Sequence, residues 1–232
     1  MSVRFENDPE FNRGAPKSSP GRGARFIEVL VVLCIVVLLV AILLPATRSV
    51  GPAGWRAQCV NNLKQIGLAL HNYEQAYGAL PPAYTVDAKG RPLHSWRTLI
   101  LPYLEQEPLY RTIDLSKPWN DPANAKALET PVPVYQCPES PGPGEATTYL
   151  AVVGPDGCLA PDKPRRLAEI TGDHGSTLMV VEAGEINAVP WMAPTDADES
   201  FVSRLGIGNG LRHTTGINAC TVNGSVVTLG RP

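Results

Sequence analysis

The chain has 232 residues and a formal net charge of −2, and charged residues make up 18% of the sequence. This balance excludes the basic surface that binds nucleic acid and the strong net charge that keeps a chain disordered. The 23 Pro and 21 Gly residues predict a loop-rich fold instead of a helical bundle.

Residues 1–23 are polar, rich in Gly, Pro and Ser, and have no hydrophobic period. We therefore expect a disordered leader. Four basic residues lie in and just after its second half with no acid between them: Arg13, Lys17, Arg22 and Arg25. A basic cluster before an apolar segment predicts a cytoplasmic N-terminus and translocation of the residues that follow the segment.

An uninterrupted apolar segment runs from residue 29 to residue 44, with Glu28 directly before it and Pro45 directly after it. A carboxylate at the edge of hydrocarbon is costly, and such residues are usually functional. We predict a retained membrane anchor over residues 24–50. The alternative is a cleaved secretory signal, but the apolar core of such signals has about 7–15 residues and precedes an A-x-A-like site, which is missing here.

The next segment, residues 55–77, predicts an amphipathic helix, and we place the whole element at residues 51–78. Its apolar residues recur every three or four positions: Val60, Leu63, Ile66, Leu70, Tyr73 and Tyr77. Residues 51–54 (GPAG) are expected to interrupt the helix, because Gly and Pro lower helix propensity. Gly78 is expected to end it.

Beyond residue 82, residues 95–104 are compatible with a short helix or a strand, and the runs 147–153 and 177–182 predict strands. The pair Asn223-Gly224 between two apolar runs predicts a hairpin over residues 216–229 with a type I′ turn. A long helix followed by loops and then strands predicts an α+β fold. In that fold the hydrophobic helix continues into the amphipathic helix, which packs on a small antiparallel sheet with a loop-rich head.

Few residues suggest chemistry. The sequence contains no C-x-x-C, so we predict no zinc site and assign no metal or other cofactor. His213, ten residues before the hairpin turn, is either a ligand or groove residue or a structural hydrogen-bonding residue. Residues 173–176 (DHGS) favour a turn, because sequence neighbours do not converge as a catalytic triad. Residues 196–199 (DADE) lack the spaced oxygens of a calcium loop and favour a solvated acidic loop.

The stretch RFIEVLVVLCIVVLLVAILLP resembles the N-terminus of type IV prepilins and of the pseudopilins of type II secretion. In these families a Gly precedes the cleavage point and a Glu is the fifth mature residue. With Gly23 before the cut, Ala24 is the first mature residue, Glu28 the fifth and Pro45 the twenty-second, where many members carry a proline. This chain departs from the pattern at Ala24, where the family prefers Phe, and at Arg25.

That resemblance implies a set of roles. Prepilin peptidase would cut after Gly23 and N-methylate Ala24, and Glu28 would pair with the terminal amine of a neighbouring subunit during assembly. Such a pair offsets two charges that are each costly in hydrocarbon, and it fixes the axial register.

A second resemblance covers most of the remaining chain. The stretches QCVNNLKQIGLALHNYEQAYGALPP, SWRTLILPYLEQEPLY, YQCPES and TTYLAVVG are similar to the DUF1559 family of bacterial prepilin-like proteins, also labelled SBP_bac_10. The family's terminal H-x9-DG signature is represented by His213 and Asn223-Gly224, with Asn in place of Asp. Cys59 and Cys137 lie in the stretches that match best, which implies a disulfide between them in an oxidising compartment. Cys158 and Cys220 would form a second one.

These observations predict a structural subunit that is not an enzyme. Residues 1–23 form a cytoplasmic leader, residues 24–50 a transmembrane and assembly helix, residues 51–78 an amphipathic helix, and residues 79–232 an extracytoplasmic head. The expected partners are prepilin peptidase, inner-membrane lipid of a bacterium, and copies of the chain or other pilin-like subunits, with no nucleic acid. The alternative is an anchored extracytoplasmic solute- or surface-binding module that does not polymerise.

Overall fold

The apolar and the amphipathic segment both form helices in the computed structural model, which describes residues 22–43, 51–138, 142–155, 157–204 and 216–230. The helices are α1 (Arg22–Leu43), α2 (Pro52–Tyr77), α3 (Trp96–Leu99), α4 (Glu107–Tyr110), α5 (Ala125–Leu128) and α6 (Glu199–Arg204). The strands are β1 (Tyr84–Val86), β2 (Pro92–Ser95), β3 (Ala146–Thr147), β4 (Tyr149–Ala151), β5 (Leu178–Glu182), β6 (Val189–Pro190), β7 (Ile217–Thr221) and β8 (Val226–Leu229).

The chain divides into two units, residues 1–49 and residues 50–232. In the first unit, α1 holds Gly23, Ala24 and Glu28, whereas Pro45 and most of the predicted leader lie outside the described residues. The large apolar side chains of α1 between Ile27 and Val40 are 48–67% exposed. Across the described part of the chain, we find no helix with the length and apolar content that a membrane crossing requires.

In the second unit, α2 spans Pro52–Tyr77, close to the predicted element at residues 51–78. Gly51 is its N-cap residue and has an extended backbone, whereas residues 52–54 are helical, so the predicted interruption at residues 51–54 is wrong beyond Gly51. The N–H of the first helical residue has no acceptor within the helix, so Pro loses no hydrogen bond at that position. The fixed φ of Pro also matches the helical value. Gly78 ends the helix as predicted, with a φ of +75° and its N–H bonded to Glu74 O.

The head is α+β, as predicted, with small antiparallel sheets. The largest sheet has the strand order β4-β5-β7-β8, and the pairs β1-β2 and β3-β6 form two smaller ones. The buried residues of α2, which include Leu63, Ile66 and Leu70, form its packing face, and the helix packs against β5, β7 and β8. The predicted runs 147–153 and 177–182 contain β4 and β5. Ser95 ends β2, and most of the remaining segment to residue 104 forms α3 and a 3-10 helix (Leu101–Leu104), so the helical alternative is correct there.

The predicted hairpin is present as β7 and β8, but its turn differs from the prediction. Gly224 has a φ of +81°, whereas Asn223 is not among the described residues with positive φ, so the turn is not type I′. The N–H of Gly224 donates to Thr221 O over 2.9 Å, and Thr221 N–H donates to Ser225 O over 2.9 Å. These bonds define a three-residue loop that ends in a left-handed glycine.

Candidate functional site

A buried disulfide joins α2 to the loop that precedes β3. Cys59 and Cys137 are bonded, with their Cα atoms 5.3 Å apart. Cys59 is fully buried and Cys137 is 3% exposed. The bond ties the long helix of the second unit to a segment with little regular structure, and this is the pairing that the family resemblance implies.

A buried carboxylate lies beside this disulfide. Glu182, the last residue of β5, is 3% exposed, and its Oε2 accepts a hydrogen bond from Asn218 Nδ2 over 2.8 Å. Thr228 Oγ1 donates to Asn218 Oδ1 over 3.3 Å, and Arg56 donates to Thr228 Oγ1 over 3.1 Å. A chain of polar contacts therefore runs from Arg56 on α2 through β8 and β7 to the buried carboxylate.

Asn62, on α2, contacts the residue before Cys137. Its Nδ2 donates to Gln136 O over 2.8 Å, directly before Cys137, and lies 3.5 Å from Tyr149 Oη. Gln58 donates to Asn62 Oδ1 over 3.0 Å. Burial, and next the negative charge of Glu182, raise the pKa of the Tyr149 phenol well above its usual value, so Tyr149 stays neutral and able to donate.

A cavity of about 400 Å³ opens next to the disulfide. Its wall includes Gln58, Tyr135, Gln136, Cys137, Thr147 and Thr148. This volume is within the range of small-molecule sites, about 300–1,000 Å³. Thr148 Oγ1 is buried and has no hydrogen-bond partner among the described residues.

Arg97, in α3, forms the second buried polar centre. A guanidinium has five N–H groups, and Arg97 directs hydrogen bonds to five acceptors. They are Trp191 O (2.9 Å), Tyr149 O (3.1 Å), Ala193 O (3.0 Å), Thr195 O (2.9 Å) and Asp196 Oδ1 (2.7 Å). The side chain is fully buried, and that of Asp196 is 5% exposed.

Asp196 is held by more than its ion pair. Its Oδ1 also accepts from the Trp96 indole over 3.0 Å and from Ala151 N–H over 2.9 Å. Burial is the largest influence and raises the pKa of this carboxyl, while Arg97 and the two other donors act against it. The prediction of a solvated acidic loop at residues 196–199 is therefore wrong for Asp196, because the fold brings Arg97 to it.

Tyr135, in the cavity wall, contacts the backbone of Arg97. Tyr135 Oη donates to Arg97 O over 2.7 Å, and the Tyr135 ring stacks on Trp191 with ring centroids 6.2 Å apart. Arg97 therefore contacts two neighbours of the cavity: its backbone carbonyl accepts from Tyr135, and its guanidinium donates to the carbonyl of Tyr149, next to Thr148.

The predicted second disulfide is wrong. Cys158 and Cys220 are free, buried thiols. Cys158 Sγ donates to Leu178 O over 3.0 Å, and Cys220 Sγ contacts its neighbour's carbonyl, Thr221 O, over 3.5 Å. Each thiol therefore has its own local backbone acceptor. Burial raises the pKa of both thiols to about 12, which keeps them protonated and unreactive.

The remaining predicted residues lie either in turns or outside the described residues. Asn223 Oδ1 accepts from Ser225 N–H over 2.9 Å and from Thr221 Oγ1 over 2.7 Å, so this side chain supports the hairpin turn. An Asp would offer the same acceptor. His213 lies outside the described residues. Residues 173–176 form the predicted turn, in which Asp173 O accepts from Ser176 and Thr177.

Sequence reasoning missed Glu182, Arg97 and Asp196 as site residues. One signal was available for Glu182, which is a charged residue at the end of an otherwise apolar strand. For Arg97 the signal was weaker, because a single basic residue in a short segment is usually solvated.

Comparison with known proteins gives one match. No curated protein and no solved structure matches the chain. The model of a family described as "Protein of unknown function (DUF1559)" matches residues 52–204, which is more than half of the chain and begins at the first residue of α2. The matched range contains the disulfide, Glu182 and the Arg97–Asp196 pair. The chain therefore belongs to the DUF1559 family.

Proposed function

We propose that the protein is a membrane-anchored, pilin-like structural subunit. Prepilin peptidase cuts it after Gly23 and N-methylates Ala24. The processed chain then assembles with copies of itself or with related subunits into a type II secretion-like pseudopilus or a type IV pilus-like fibre. Its site of action is the bacterial inner membrane, with the second unit on the extracytoplasmic side.

The observation that carries this proposal is the exposed apolar surface of α1. Its large apolar side chains from Val29 to Val40 occupy nearly every position and are each about half exposed or more. Consecutive residues of a helix point in all directions, so every face of this segment is apolar. A helix that is apolar all round needs lipid or other helices to cover it. In a membrane-anchored fibre, membrane lipid and neighbouring copies of α1 cover this apolar surface.

Two further features support the proposal. Glu28 is exposed on α1, where a charge would be costly in an apolar surrounding unless a neighbouring subunit neutralised it. The Cys59–Cys137 disulfide suits an oxidising, extracytoplasmic compartment.

We expect mass spectrometry of the protein purified from its own membrane to give an N-terminal peptide that begins at Ala24 and carries one methyl group. Replacement of Gly23 by Val should leave the full leader attached, because prepilin peptidase needs the Gly before the cut. An unmethylated wild-type protein that begins at Met1 or Ser2 would exclude processing as a prepilin.

We expect Glu28→Gln to abolish fibre assembly and to leave the protein in the membrane fraction, because the change removes a charge and keeps the side-chain shape. Electron microscopy of sheared fibres and immunoblots of membranes measure the two effects. The matched control is Glu129→Gln, an exposed glutamate at the end of α5 that should assemble normally. Normal fibres from the Glu28 variant would contradict its proposed role.

The cavity beside the disulfide favours a second candidate, an anchored binding module that does not polymerise. Its volume of about 400 Å³ is within the range of small-ligand sites. A processed protein that stays as single subunits in its membrane would favour this candidate over the fibre subunit.

A further inference from the structure

Three groups that bind transition metals meet at one buried place in the second unit. The two Sγ atoms of Cys59 and Cys137 and a carboxylate oxygen of Glu182 all lie within 4.8 Å of one another. All three residues are buried. They come from α2, from the loop before β3 and from the end of β5, so three separate elements hold the cluster in place.

We propose that reduction of the Cys59–Cys137 disulfide converts this place into a zinc site, with two thiolates and the Glu182 carboxylate as ligands. Thiolate and carboxylate ligands are both common for Zn²⁺. The proposal does not rest on the pilin-like function, because it concerns only the second unit.

The chemical steps balance. A phosphine reductant supplies two electrons to the Sγ–Sγ bond and water supplies the two protons and one oxygen, which gives two thiols and a phosphine oxide. A Zn²⁺ ion then displaces the two thiol protons to solvent and binds both sulfurs. In the oxidised protein each sulfur is bonded to the other, so neither is available as a thiolate ligand.

The observed spacing suits this site. With Zn–S bonds of about 2.3 Å, two sulfurs in a tetrahedral site lie about 3.8 Å apart. The Cα atoms of the two cysteines are 5.3 Å apart, a separation at which their side chains can reach one ion. The two sulfurs need only move apart by side-chain rotation after the bond breaks.

The surroundings already orient the ligands. Asn218 donates to Glu182 Oε2 over 2.8 Å, and Asn62 holds the carbonyl of Gln136 next to Cys137 over 2.8 Å. Such outer contacts fix ligand geometry in metal sites. Cys137 is also one of the residues that line the cavity. A zinc ion with three protein ligands takes a water molecule as its fourth ligand.

The test is equilibrium dialysis of the full-length protein in detergent against Zn²⁺, with and without prior treatment with a phosphine reductant, followed by metal analysis. We expect about one tightly bound zinc per chain in the reduced protein and almost none in the oxidised protein. Co²⁺ in place of zinc should give a thiolate-to-metal charge-transfer absorption only after reduction. Zinc should also raise the melting temperature of the reduced protein and leave that of the oxidised protein unchanged.

Variants assign the ligands. The pair Cys59→Ser and Cys137→Ser should remove the site, and Glu182→Gln should weaken zinc binding on the order of tenfold or more. The matched control, Cys158→Ser with Cys220→Ser, should bind zinc as the wild type does. Three outcomes would overturn the proposal. The first is that the reduced wild type binds no zinc, whether it is folded or not. The second is that the oxidised protein binds as much zinc as the reduced protein, and the third is that zinc is retained after loss of Cys59 and Cys137.

Discussion

Replacement of Arg97 by Met is expected to lower the free energy of unfolding of the second unit by about 3–5 kcal/mol. Met keeps much of the side-chain volume, so the loss comes from polar groups. The Asp196 carboxylate would lose its cation while its side chain stays 5% exposed, and the carbonyls of Trp191, Tyr149, Ala193 and Thr195 would lose a donor. Urea unfolding of the full chain in detergent, followed by tryptophan fluorescence, measures the change. All four Trp residues are in the second unit, so the signal reports on it.

The control is a second Arg–Asp pair with the same distance. Arg91 Nε and Asp87 Oδ2 are also 2.7 Å apart, but the Arg91 side chain is 74% exposed. We expect Arg91→Met to leave the free energy of unfolding unchanged, because solvent screens exposed pairs. Equal free energies of unfolding for the two variants would contradict the claim that burial makes the Arg97–Asp196 pair stabilising.

Removal of the disulfide by Cys59→Ala with Cys137→Ala is expected to cost up to about 4.5 kcal/mol, which is the chain-entropy value for a loop of this length. The two cysteines are 78 residues apart in sequence, so the bond restricts a large part of the unfolded chain. Urea unfolding in the presence of a chelator measures the effect without a contribution from metal.

The response to a reductant separates this effect from simple loss of core volume. A phosphine reductant should destabilise the wild type and leave the double variant unchanged. The control, Cys158→Ala with Cys220→Ala, removes two other buried sulfurs and should retain the full response to the reductant, because it retains the disulfide. A double variant at Cys59 and Cys137 that still loses stability in the reductant would contradict the assignment.

The long helix α2 and the terminal hairpin were predictable because their causes are local. The helical period over residues 60–77 predicts α2, and Gly78 ends it because a left-handed C-terminal residue favours glycine. The Asn223-Gly224 pair predicts the hairpin of β7 and β8. Its exact turn was not predictable, since the same pair suits both a two-residue and a three-residue loop, and the backbone bonds of Thr221 decide between them.

The apolar segment of α1 and its Glu28 are likewise features of the sequence alone, and the prepilin resemblance follows from their spacing to Gly23. The buried centres are different. Arg97 and Asp196 are 99 residues apart, and Cys59, Cys137 and Glu182 come from three separate elements. Charged residues are usually solvated, and only the assembled tertiary structure decides which of them are buried together. The sequence therefore determined α2, the hairpin and the family resemblance, whereas the packing of segments distant in the chain decided the ion pair, the cavity and the cluster around the disulfide.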